Sequence, residues 1–157
     1  GRGLAVQWQP MALHEAVADV LEDLRQAFEG RRIDHVQVGS GACTADPDRV
    51  GQLVGNLVRN ALAYGRASTP VTVQTETGDG QWLVSVHNFG DPIPPELQAG
   101  LFRPMVRGTH QASASRSIGL GLYIVSEIAK ALGGSVSVTS TAEAGTTFTL
   151  RCPAGRS

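Results

Sequence analysis

Two asparagines and a pair of glycines are the residues of this chain best suited to chemistry. Asn56 and Asn60 stand four apart in Asn56-Leu-Val-Arg-Asn60-Ala-Leu-Ala-Tyr64, so on a helix they share one edge. Two neighbouring amides can ligate a hard cation or a phosphate through their carbonyl and NH₂ groups. The same pair can equally cap loops or meet solvent. Gly119 and Gly121 open the run Ser117-Ile-Gly-Leu-Gly-Leu-Tyr-Ile-Val-Ser-Glu-Ile-Ala-Lys-Ala-Leu-Gly-Gly134. Without Cβ atoms they let a ligand approach the backbone. A helix starting here, at about Leu120, would present unpaired N–H groups and the positive end of its dipole. That combination suits a phosphate, and a flexible helix start would carry the same residues.

The elements that must position these groups follow from periodicity. Ala5 to Trp8 reads as a short strand. Met11 to Glu29 reads as a helix, with Leu13, Val17, Val20, Leu24 and Phe28 at three- and four-residue spacing and Gly30 at its end. Asp34 to Val38 is a strand. Asp46 is placed to cap a second helix, with Pro47 in its first turn. That helix runs to Tyr64, stops at Gly65, and turns Val50, Leu53, Val54, Leu57, Val58 and Ala61 inward. Val71 to Thr77 and Trp82 to His87 form a hairpin through Gly78-Asp79-Gly80. A third helix spans about Leu120 to Leu132, and Ser135 to Ser140 pairs with Thr146 to Cys152. Three helices and several mostly antiparallel strands predict an α/β sandwich, a single sheet with the helices on one face.

Composition narrows the function. The chain has 157 residues, 41% of them hydrophobic, and a net charge of −1, which predicts one domain with a real core. So small a charge predicts neither a nucleic-acid partner nor a membrane-surface partner. No apolar run reaches the ~18 residues of a membrane span, and no signal-peptide pattern opens the chain; the expectation is a cytoplasmic domain. Cys43 and Cys152 match no metal spacing and read as two buried thiols rather than a disulfide.

Taken in order, the motifs are more specific than any one alone. The asparagine helix is followed by a hairpin ending in Val86-His-Asn-Phe-Gly-Asp-Pro-Ile93-Pro94. Then come Leu101-Phe-Arg-Pro-Met-Val-Arg-Gly108, the glycine run, and Gly145-Thr-Thr-Phe148. From about Leu4 to Pro153 the chain resembles the catalytic ATP-binding domain of sensor histidine kinases, with its N box, two glycine boxes, F box and closing Gly-Thr. The resemblance implies the Bergerat ATP-binding fold, shared with gyrase, MutL and the heat-shock 90 chaperones. It implies ATP and Mg²⁺ as cofactors. It implies, as partners, a dimerisation and histidine phosphotransfer domain of the same protein and a downstream response regulator.

Residue by residue, the resemblance matches Asn60 to the family's magnesium-binding asparagine and Asn56 to its neighbour near the phosphates. Asn88 stands where an aspartate usually recognises the adenine amino group. Gly90 lets the backbone pass close to the base, Tyr64 covers it, and Thr146 reaches it through water. Leu57, Ile93 and Phe148 match the apolar pocket wall. Gly119, Leu120, Gly121 and Leu122 match the phosphate-proximal box. Residues from about Gly108 to Ser117 match the lid over the nucleotide. Arg107 and Arg116 could reach the triphosphate or equally stand solvated at the surface.

Several residues depart from the family pattern: Asn88 for aspartate, Pro92 and Ser117 for glycines, Ala63 for a basic residue, and Met105 for the second phenylalanine of the F box. Those at Asn88, Pro92 and Ser117 favour a second reading, a nucleotide-sensing or docking module of the same fold without phosphotransfer. A serine kinase of the anti-sigma type fits Leu101-Phe-Arg-Pro less well. The pair His14-Glu15 looks like a phosphoacceptor, yet it lies on a helix of the ATP-binding domain itself, so the phosphoacceptor is expected on another domain.

Overall fold

The computed structural model describes residues 4–104 and 113–154, with only the backbone described for 113–120. The elements are β1 (Gln9–Ala12), α1 (Leu13–Ala27), β2 (Ile33–Val38), β3 (Ala42–Ala45), α2 (Pro47–Tyr64), β4 (Val71–Gly78) and β5 (Gln81–Asn88). They continue with α3 (Pro95–Gln98), α4 (Ser113–Ala131), β6 (Ser135–Thr141) and β7 (Gly145–Pro153). Five strands form a mixed sheet in the order β2-β4-β5-β7-β6, and β1 and β3 form a separate antiparallel pair. Only the β2–β4 pairing in the large sheet is parallel. The predicted α/β sandwich is the observed architecture, with the one-turn helix α3 as an addition.

The second helix forms for the reasons legible in its sequence. Asp46 Oδ1 accepts from the N–H groups of Asp48 and Arg49 at 3.0 and 3.3 Å, satisfying two of the orphan donors of the first turn. Val50, Leu53, Val54, Leu57, Val58 and Ala61 are all at most 1% exposed. They meet Val71 and Val73 of β4, Trp82, Val84 and Val86 of β5, and Phe148 and Leu150 of β7 in one core. The β4–β5 connection is a two-residue turn with Asp79 at φ 55° and Gly80 at φ 75°, the left-handed pair that matches strand twist.

Three expectations are corrected. The first strand lies at Gln9–Ala12 rather than Ala5–Trp8. Its partner β3 ends at Ala45, opposite Gln9, because Asp46 already caps α2. Residues 5 to 7 are instead held by α2's first turn: Arg49 Nε donates to the Ala5 carbonyl at 3.1 Å, and the Gln7 N–H donates to Asp46 Oδ2 at 2.9 Å. In α1, Leu21 is fully buried while Val20 and Phe28 only border the core. The third helix begins at Ser113, not near Leu120. Glycine costs a helix about 1 kcal/mol against alanine, too little to end one anchored by Leu122, Val125, Ile128 and Ala129 in the core.

His14 is a packing residue, 9% exposed. Its Nε2–H donates to the Gly39 carbonyl at 3.0 Å, so in the neutral ring Nδ1 accepts the Thr75 hydroxyl proton at 2.6 Å. Thr75 Oγ1 in turn accepts from His35 Nε2–H at 2.9 Å, leaving His35 Nδ1 to accept from Gln37 Nε2 at 3.4 Å. Burial first, then the neighbouring His14 and Arg25, hold His35 below the usual histidine value. The unfolded chain therefore binds this proton more readily than the folded one. The contribution to stability is present above about pH 6.5 and is lost as pH falls below that value. Melting temperatures between pH 8 and pH 5 should fall more steeply for wild type than for His35→Gln; parallel curves would contradict this.

Cys43 and Cys152 are buried free thiols. Burial pushes Cys43 up to about 11 and Cys152 up to about 12, the latter also through its proximity to Cys43. Both are protonated at neutral pH and chemically quiet.

Candidate functional site

The asparagine edge of α2 faces α4. Asn60 is 8% exposed, and among the described residues none hydrogen-bonds its amide. One turn away, Asn56 Nδ2 donates to the Gly121 carbonyl at 3.4 Å, tying α2 to α4. A Cβ on Gly121 would lie 3.9 Å from the Asn56 side chain, an ordinary contact.

One turn beyond Asn60, the C-terminal end of α2 meets the strand ends. Asn88 closes β5 and Thr146 sits directly across from it on β7; each is 4% exposed. Asn88 Nδ2 donates weakly to the Phe89 carbonyl at 3.5 Å, which leaves Oδ1 as the end able to accept from a ligand. A Cβ on Gly90 would lie 2.7 Å from the Tyr64 carbonyl, and one on Gly65 would lie 3.0 Å from Asn88 Cβ. These two glycines let the loop after β5 close against the end of α2. Tyr64 is 54% exposed there. Leu57 and Phe148 are buried in the core, and Ile93 packs at its margin.

Leu122 is 3% exposed and packs in the core, so its side chain anchors α4 rather than facing a ligand. Gly119 and Leu120 lie within α4, so the helix start predicted at these glycines is not there. Residues 113–117 of the expected lid are helical, whereas 108–112 and Arg107 lie outside the described residues. Phe102 of the F box meets Phe148 edge to face with centroids 5.8 Å apart. Its carbonyl accepts from Ser126 Oγ of α4 at 3.2 Å.

Residues 45–156 match the family described as "Histidine kinase-, DNA gyrase B-, and HSP90-like ATPase". The chain belongs to this ATPase family. Its relatives include the sensor protein TorS of Escherichia coli, 34% identical over 98% of this chain and 17% of that protein. The probable sensor histidine kinase TcrY of Mycobacterium tuberculosis is 37% identical over 69% of the chain and 23% of its own length. The chain thus spans under a quarter of either relative. Among solved structures, the catalytic domain of histidine kinase ThkA superposes with a TM-score of 0.78 at 26% identity, covering 94% of this chain and 96% of that one. Full-length ShkA, solved in complex with AMPPNP, shares the fold at a TM-score of 0.80 and 23% identity, over 99% of this chain and 33% of that one.

In this histidine-kinase-type ATPase domain, two serines escaped the motif reading. Ser126 holds the F-box carbonyl, and Ser140 bonds Thr146 Oγ1 at 2.6 Å. The second was legible: strands ending at Ser140 and starting at Thr146 already set the two opposite one another. Among the described residues no group of three or more metal-binding His, Cys, Asp or Glu side chains occurs, and no helix is long and apolar enough to cross a membrane.

Proposed function

We propose that this domain binds Mg-ATP and donates its γ-phosphoryl group to a histidine on a separate dimerisation domain of the same protein, which then serves a response regulator. The observation that carries the reading is Asn60, a residue 8% exposed whose amide has no partner among the described residues and stands one turn from the Asn56–Gly121 contact. A single amide oxygen suits magnesium, which keeps most of its shell as water and substrate phosphate. When bound, the ion neutralises phosphate charge.

The chain's own residues do the positioning. Asn60 would hold the metal, and Asn56 would face the phosphates. Asn88 Oδ1 would accept from the adenine amino group, with Gly90 keeping the loop backbone close, Thr146 reaching the base through water, and Tyr64 covering it. Leu57, Ile93 and Phe148 would wall the base. Leu122 would fix α4, so that Gly119, Leu120 and Gly121 stand beside the phosphates, and Arg107 would add positive charge. The nucleophile is an imidazole from another domain, so no base for water is needed. Asn56 supports this, since ATP-hydrolysing relatives such as gyrase carry a glutamate at the corresponding place.

Incubation with γ-labelled ATP, magnesium and a dimerisation domain bearing a phosphoacceptor histidine tests the proposal. Acid-labile label should appear on that histidine. ATP binding without transfer would overturn the kinase reading in favour of a sensing or docking module, to which the asparagine at position 88 also points.

A further inference from the structure

Ser140, at the end of β6, joins two parts of the site that share no backbone pairing. The register sets Asn88 opposite Thr146 and Thr146 opposite Ser140, so the three stand in a row across β5, β7 and β6. Ser140 Oγ accepts from the Ile93 N–H at 2.8 Å and shares a 2.6 Å hydrogen bond with Thr146 Oγ1. The Ile93 carbonyl accepts from Gln98 Nε2 at 2.9 Å. The far end of the loop between β5 and α3 is thus held on both sides of Ile93 by side chains alone.

The serine hydroxyl has one proton and two lone pairs. The Ile93 amide takes one lone pair, and the bond to Thr146 runs through the proton or the other lone pair. In either direction it fixes where the Thr146 oxygen sits. Thr146 is 4% exposed, so its hydroxyl needs this partner until a ligand or water supplies another.

We propose that Ser140 is a positioning residue for the adenine base: it sets the Thr146 hydroxyl and the Ile93 wall in place before nucleotide arrives. This rests on the nucleotide reading above. Preorganising two pocket groups with one hydroxyl removes ordering cost that binding would otherwise meet.

The test compares Ser140→Val with Ser140→Thr. Both are β-branched and suit a strand, and they differ at a methyl against a hydroxyl. Ser140→Ala serves as a smaller control. ADP with magnesium is titrated into each protein, and Ile93 amide exchange is followed without nucleotide. Ser140→Val and Ser140→Ala should bind ADP about tenfold more weakly and exchange the Ile93 proton faster. Ser140→Thr should restore both. ADP affinity within twofold of wild type in folded Ser140→Val would overturn the role of Ser140 alone. Failure of wild type to bind ADP would overturn the nucleotide reading and this one with it, and the wild-type titration alone reveals it.

Discussion

Asn60→Ala should bind Mg-ATP at least about 10-fold more weakly than wild type, since losing even a group that only orients a metal's ligands costs about 10- to 100-fold. The fold should not suffer. The amide has no partner among the described residues, so its removal orphans no described group. Alanine also favours a helix interior over asparagine by up to about 0.7 kcal/mol. The melting temperature of the nucleotide-free variant should therefore equal or exceed that of wild type. In excess EDTA the two proteins should bind ATP alike, because the lost group acts through the metal. Equal Mg-ATP affinity in the two proteins would remove Asn60 from the metal site.

Asn88 should decide the base. Its Oδ1 end is available while Nδ2 leans on the Phe89 carbonyl at 3.5 Å, so the side chain is set to accept from an adenine amino group. Guanine presents a carbonyl there, and two facing acceptors cost about 1–3 kcal/mol. An amide can turn and offer its NH₂ instead, so asparagine should discriminate modestly. Asn88→Asp cannot turn in that way and should strengthen ATP binding or sharpen its preference over GTP. It should also lower the melting temperature, because a carboxylate oxygen replaces the donor facing the Phe89 carbonyl. Asn88→Ala should weaken ATP binding by roughly 5- to 150-fold, the same range expressed as a ratio. Competition of ATP and GTP against a fluorescent nucleotide measures all three proteins. Equal ATP affinity in wild type and Asn88→Ala would show that this residue does not read the base.

The sequence carried what local rules encode. Asp46 and Pro47 announced the start of α2, its apolar spacing announced the buried face, and Asp79-Gly80 announced the hairpin. The bonds that lie between distant segments were not readable. His14 meets Thr75 across 61 residues, and no periodicity in α1 marks that meeting. The strand β3 escaped because four small or polar residues carry no strand signal of their own; its pairing with β1 makes it a strand. The start of α4 was misplaced because Gly119 and Gly121 were read as a boundary, whereas the buried residues that follow carry the helix through them. For the site, the asparagines and Thr146 were visible as motif positions. Of the two serines that hold their surroundings, Ser140 could be read from the predicted hairpin, whereas the bond from Ser126 to the Phe102 carbonyl became visible only through packing.

Whether this domain holds Mg-ATP is decided by isothermal titration of ATP in the presence of magnesium. Saturable binding with a dissociation constant between about 1 μM and 1 mM, the span common for enzyme substrates, is the expected result. No detectable heat, together with no shift in melting temperature at millimolar ATP, would contradict it.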